Sequence, residues 1–158
     1  MSQDALHAAM KRLEPLIAEW KIEASFPGSP PGRAVFEWEL GGQYVVQRTE
    51  APDPAPNSIA IIAPDPIHDA YTQHYFDSRG VVRVYAMTFS DRGWMLWRNA
   101  PDFSPLDFSQ RFTGTFSEDR RTIRGAWETS MDGVSWEHDF DLIYTKVARK
   151  PRRPAARR

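Results

Sequence analysis

The chain has 158 residues and a mass of 18.1 kDa, long enough to bury a core within one domain without a covalent or metal staple. It contains no cysteine, which excludes disulfides, thiolate metal centres, iron–sulfur clusters and a cysteine nucleophile. The formal net charge of −1 divides into an acidic body, residues 1–145 with 13 Lys and Arg against 21 Asp and Glu, and a basic end, residues 146–158 with seven positive charges and no negative one.

The first ten residues carry neither a basic n-region nor an apolar run, and no stretch of eighteen apolar residues occurs. The expectation is a cytoplasmic protein with no secretory signal and no membrane partner. Leu6, Met10, Leu13 and Ile17 recur at helical spacing, which predicts a helix over 1–18, with Asp4 as N-cap and Pro15 kinking or ending the last turn. After Glu19 the period becomes two, and turn signals recur every eight to twelve residues. Strands are predicted at 19–26, 33–40, 43–50, 58–63, 70–77, 81–89, 94–99, 108–116, 122–129 and 134–145. Gly41-Gly42 reads as a two-residue hairpin turn, and Ala51 to Asn57 as a proline-rich loop. A meander of about ten antiparallel strands closes into a barrel, because closure removes unpaired edges. A barrel of that width encloses a small ligand. The fold class is therefore all-β: a closed antiparallel barrel with a short N-terminal helix. It occupies 1–147 as a single domain, with 148–158 as a basic, disordered tail held extended by Pro151 and Pro154.

Alternation assigns inner faces to several strands. Trp20, Ile22, Ala24 and Phe26 form one row, and Phe36, Trp38 and Leu40 another. Phe108, Gln110, Phe112, Gly114 and Phe116 form a third, and Ile123, Gly125 and Trp127 a fourth. The last strand alternates Trp136, His138, Phe140, Leu142 and Tyr144 against Glu137, Asp139, Asp141 and Thr145, which places His138 inside. Strands 70–77, 81–89 and 94–99 leave either face open, so His74, Tyr75, Tyr85 and Trp97 are candidates without a settled direction. If Tyr85 and Met87 face inward, Arg83 lies near the barrel mouth, where it would meet an anionic group.

Buried polar groups need partners, so Gln110 and His138 within apolar rows are the groups expected to orient a ligand. The candidate ligand-contacting set is Trp20, Trp38, His74, Tyr75, Tyr85, Trp97, Gln110, Phe112, Trp127, His138 and Phe140. The chain lacks a G-x-S-x-G elbow, a P-loop, G-x-G-x-x-G and H-E-x-x-H. His7, His68, His74 and His138 are not at metal-ligand spacing, so no metal site is expected. The leading expectation is binding of a small, mainly apolar organic ligand. The alternative is an enzyme in which His138, as catalytic acid or base, runs an isomerisation or cyclisation. The acidic body repels polyanions, so nucleic acid is not expected, and a homodimer stays open.

A short helix is followed by Leu16-Ile17-Ala18-Glu19-Trp20-Lys21-Ile22-Glu23, Phe36-Glu37-Trp38-Glu39-Leu40-Gly41-Gly42-Gln43-Tyr44 and His74-Tyr75-Phe76-Asp77-Ser78-Arg79-Gly80. Ser130-Met131-Asp132-Gly133-Val134-Ser135-Trp136-Glu137 and Leu142-Ile143-Tyr144-Thr145 close the series. Over about residues 5–147 this resembles the small bacterial lipocalin-like (calycin-type) barrel domains of unknown function, which implies one barrel with an internal cavity. A more distant similarity is to the nitrobindins, ten-strand barrels that hold haem through a histidine near the C-terminal end. Of their early Gly-x-Trp-x-Gly-x-Gly signature this chain keeps Trp20, with Ala18, Ile22 and Ala24 at the glycine positions. The residues themselves call for no cofactor, and haem on His138 is what this second resemblance implies.

Overall fold

The computed structural model describes residues 2–103, 105 and 107–148. Helix α1 (Gln3–Lys11) opens the chain, capped by Ser2, whose Oγ accepts the Ala5 N–H at 3.2 Å. The expected cap, Asp4, sits instead in the first turn, where its charge favours the positive end of the helix dipole. The helix is shorter than the apolar stripe predicted. After Lys11 the chain tightens into a 3₁₀ turn at Glu14–Leu16, with Pro15 near its start, and Leu13 and Leu16 stay on the core side.

Ten strands follow: β1 (Glu19–Ala24), β2 (Gly32–Glu39), β3 (Tyr44–Glu50), β4 (Ser58–Asp65), β5 (Ala70–Asp77), β6 (Val82–Phe89), β7 (Gly93–Arg98), β8 (Ser109–Phe116), β9 (Thr122–Ser130) and β10 (Glu137–Lys146). Each pairs antiparallel with its neighbours in sequence, and β1 also pairs with β10, from Trp20 opposite Lys146 to Ala24 opposite Leu142. The sheet is therefore a closed barrel without an edge. The seam extends to Val147, whose N–H donates to the Glu19 carbonyl at 2.8 Å. Residues 149–158, most of the basic tail expected to be disordered, lie outside the described residues. Among the described residues no helix is long and apolar enough to cross a membrane.

The two ends of the barrel differ. At one end the strands are joined by tight connections. The expected Gly41-Gly42 hairpin is a three-residue turn in which Leu40, Gly41 and Gly42 all have positive φ (49°, 69° and 85°). Glycine adopts that backbone without a Cβ clash, and Leu40 is the residue carrying the strain. Helix α1 plugs this end. Met10, Leu13 and Leu16 are buried against Trp20, Phe36, Val45, Ile62 and Met87. Two hydrogen bonds fix the plug: the Trp20 indole donates to the Leu16 carbonyl at 2.9 Å, and the Tyr71 hydroxyl donates to the Ala9 carbonyl at 2.6 Å. At the other end longer loops, 25–31, 51–57, 131–136 and the described part of the connection after β7 (99–103), surround an opening. Asn57 ties the 51–57 loop to the 78–81 turn between β5 and β6, its N–H donating to Ser78 Oγ at 3.1 Å while its carbonyl accepts the Ser78 N–H at 2.8 Å.

Candidate functional site

Between the plug and the open end lies a cavity of about 500 Å³. Its floor is aromatic. Phe112 packs edge-on against Trp94 (5.1 Å between centroids) and tilted against Trp127 (5.3 Å), and Tyr85 meets Trp127 at 5.7 Å. The floor is deep because two glycines leave room for it. Gly114 and Gly125 are directly paired across β8 and β9, and the Phe112 ring lies over them, so that a Cβ on Gly125 would come within 2.4 Å of two ring carbons. Towards the opening the walls become polar: Gln47, Gln73, Tyr75, Arg79, Arg83, Tyr85 and Gln110 all line the space.

These polar groups are organised. Gln110 Oε1 accepts from two donors at once, Tyr85 Oη at 3.1 Å and Arg83 Nη1 at 3.2 Å. The Arg83 guanidinium also lies 6.0 Å from the centroid of the Phe108 ring. Tyr75 Oη donates to Asp77 Oδ2 at 2.9 Å, and the same carboxylate receives Arg79 Nη2 at 2.7 Å. Burial alone would raise the Asp77 pKa, but hydrogen bonds from Arg79, from Tyr75 and from the backbone N–H groups of Arg79 and Val81 overcome it and hold the carboxyl at about 2. Burial pushes the Tyr75 and Tyr85 hydroxyls up, so both stay protonated and act as donors near neutral pH. Arg98 also points inward from β7 and is buried. It is held by Asp102 through Nε–Oδ2 (2.7 Å) and Nη2–Oδ1 (2.9 Å), and Asp102 Oδ2 accepts the Val84 N–H as well. That clamp fastens residues 99–103 to the wall.

Among the described residues, three buried side-chain atoms lack a hydrogen-bond partner in the protein: Gln73 Oε1, Arg83 Nε and Trp94 Nε1. All three belong to residues that line this cavity. Unsatisfied buried polar atoms are rare in folded proteins and each costs about 1–3 kcal/mol. Their concentration here sets this space apart from the packed core.

The structure brings Tyr75, Tyr85, Gln110, Phe112, Trp127 and Phe140 to the cavity and places the other sequence candidates elsewhere. Trp20 is fully buried in the plug layer, edge-on to Phe116 and Tyr144. Trp38 faces inward but at the plugged end, beside His7, Lys11 and Glu14. His74 alternates with the cavity residues Gln73 and Tyr75, so it lies on the outer face, as does Trp97 between the inward Leu96 and Arg98.

His138 is the main correction. The register of β10 against β9 shifts between His138 and Phe140: His138 stands opposite Glu128, whereas Phe140 stands opposite Trp127. The extra residue, Asp139, is a β-bulge that reverses the alternation on its N-terminal side. Phe140, Leu142 and Tyr144 keep the inner face, and His138 turns outward, 56% exposed, with Nε2 at 2.8 Å from Asp141 Oδ1. Trp136, expected inside, stacks on the outer Arg111 at 4.2 Å from its guanidinium, and Arg111 pairs with Glu128 at 2.9 Å. With this facing His138 presents neither an acid–base group nor a haem ligand to the cavity. Among the described residues no histidine lines the cavity, so these residues do not fit histidine-ligated haem.

The candidate set leaves out Gln73, Trp94 and Tyr144, which line the cavity, although alternation already assigns Tyr144 to the inner face and leaves the facing of Trp94 open; Arg83 is raised only conditionally. Gln73 carried a usable signal, a polar residue flanked at period two by Tyr71 and Tyr75.

No family model and no curated protein sequence matches the chain. The barrel is similar to the crystal structure of Rv2717c from M. tuberculosis, with a TM-score of 0.59 and 12% sequence identity, covering 89% of this chain and 98% of that one. At that identity the likeness establishes a shared barrel fold.

Proposed function

We propose that the protein binds a small, mainly apolar organic molecule in the barrel cavity. The observation that carries this reading is the coincidence, in one aromatic-lined space of about 500 Å³, of three buried polar atoms that the protein leaves unpaired. A core built only for stability would fill such a space or satisfy those atoms. A ligand that buries about 250 Å² of apolar surface gains about 6 kcal/mol, a Kd in the tens of micromolar, before any polar contact is counted. The polar wall then fixes its orientation.

The test uses N-phenyl-1-naphthylamine, a neutral apolar fluorophore whose emission rises when it leaves water. Saturable 1:1 binding is expected. Ala60 is buried and lines the cavity, so Ala60→Phe fills it and should weaken the probe at least tenfold in a variant whose circular dichroism is unchanged. Binding that Ala60→Phe leaves intact would place the probe outside the barrel and refute the reading.

A further inference from the structure

We infer that the ligand is an organic acid, an apolar body ending in a single carboxylate that is read by Arg83 with help from Tyr85 and Gln110. This rests on the cavity reading above and names the class of molecule.

Three arginines gather at the open end, and two are already neutralised. Arg79 is bound by Asp77 through Nε at 3.2 Å and Nη2 at 2.7 Å. Arg98 is bound by Asp102 at 2.7 and 2.9 Å. Arg83 is different. Among the described residues it is in ion-pair contact with no carboxylate. Its polar contacts with the described residues are neutral, Gln110 Oε1 at 3.2 Å and the Tyr85 hydroxyl, it lies over the face of Phe108, and its Nε is buried without a partner. A guanidinium partly withdrawn from water and lacking a counter-ion favours an anion beside it.

The donors also converge. Arg83 Nη1 and Tyr85 Oη both point at one acceptor, Gln110 Oε1. A carboxylate oxygen is a stronger acceptor for such a pair than an amide oxygen, and the planar guanidinium fork suits it. Gln73, in register with Tyr85 on the neighbouring strand, holds an amide whose Oε1 has no partner; rotated, it would present its NH₂ to the same group. One uncompensated positive charge matches one negative charge. The space beyond these groups, bounded by Leu96, Phe112, Trp127 and Leu142, has no further cation among the described residues and suits a hydrocarbon or aromatic body.

The experiment displaces bound N-phenyl-1-naphthylamine from the full chain with decanoate or with 1-decanol, at about pH 7.5 where the acid is ionised. Decanoate is expected to act at about 10- to 100-fold lower concentration than the alcohol, the range of a charge-assisted hydrogen-bonded pair. Arg83→Gln should bring that ratio close to one, and Arg83→Lys should keep part of it. Arg111→Gln, which removes an arginine from the outer face, should leave the ratio as in the wild type. Equal displacement by acid and alcohol in the wild type, which requires no variant to fold, overturns the organic-acid inference while the cavity reading stands. A preference for decanoate that survives Arg83→Gln overturns it as well. Failure of the fluorophore to bind defeats the cavity reading and this inference with it.

Discussion

Gly125→Ala tests whether the cavity floor is built as described. A Cβ at this position would lie 2.4 Å from both Cε2 and Cζ of Phe112. Carbon atoms in contact keep about 3.5–4.0 Å, so the ring must withdraw by more than about 1 Å. Phe112 is 1% exposed, with Trp94 and Trp127 at 5.1 and 5.3 Å between centroids. Its open direction is the cavity it lines. Overpacking of this kind costs about 1–3 kcal/mol, and replacing a strand glycine with alanine recovers about 0.4–1 kcal/mol from the unfolded chain. The expected net loss is about 1–2 kcal/mol, which for a chain of this size lowers Tm by about 2–8 °C. Urea unfolding followed by tryptophan fluorescence should show a lower midpoint at unchanged m. Because the displaced ring enters the cavity, affinity for N-phenyl-1-naphthylamine should fall in the same variant. Phe112→Leu removes the clashing ring carbons, so the double variant should lose less stability than the two single losses added together. A Gly125→Ala protein as stable as the wild type, or strictly additive effects, would refute the packing argument.

The outward facing of His138 predicts that His138→Ala changes stability by less than about 0.5 kcal/mol, since its pair with Asp141 is exposed on both sides. Displacement of the fluorophore should be unaffected; a tenfold change in that affinity would restore the inward reading. Asp77 predicts an acid limb. Its carboxyl is held at about 2 when folded against an ordinary value of 3.8, so its contribution is complete above about pH 4 and is lost as pH falls towards 2. Asp77→Asn should lower stability at neutral pH by about 1–2 kcal/mol and flatten the decline of stability between about pH 4 and pH 2. Urea midpoints measured across that window decide it, and a variant with the wild-type acid slope would show that Asp77 is not the group responsible.

The order of helix and ten strands was legible because long alternating runs separated by Gly, Pro and Asp turns carry the β period openly. The facing of individual strands was legible only where one face was much more apolar than the other, as in Phe36–Trp38 and Phe108–Phe116. In β5 the rival rows, Tyr71, Gln73 and Tyr75 against Thr72, His74 and Phe76, are equally mixed, and closure of the barrel makes the choice. In β7 the inward residue is Arg98, which strict patterning would send to solvent. Asp102, four residues on, neutralises it, and that partner lies in a loop outside any period-two reading. The bulge at Asp139 was hidden for a different reason: one extra residue leaves the run 136–144 alternating on paper, with Ile143 the one exception, while the backbone changes face within it. The site candidate with the most chemistry therefore fell on the wrong side of the wall.

The division of the barrel into two ends follows from how its aromatic residues are spent. At the plugged end Trp20, Phe36, Phe89 and Phe116 belong to one buried cluster with Met10, Leu13 and Leu16, and the Trp20 indole finds a carbonyl on the chain leading out of α1. At the level of Phe112 the supply of inward bulk runs short, because β8 and β9 contribute Gly114 and Gly125 side by side and β4 contributes Ala60. Above that level the inward positions become Gln47, Gln73, Arg83 and Gln110, longer chains that reach across space rather than fill it. A wider barrel could have been closed with larger apolar residues at those positions, at a gain in packing energy. Instead the chain retains polar atoms with no protein partner at the boundary between packed floor and open mouth. Packing is thus concentrated in the plug and the floor, and above them, among the described residues, the cavity wall keeps polar atoms that no protein group pairs.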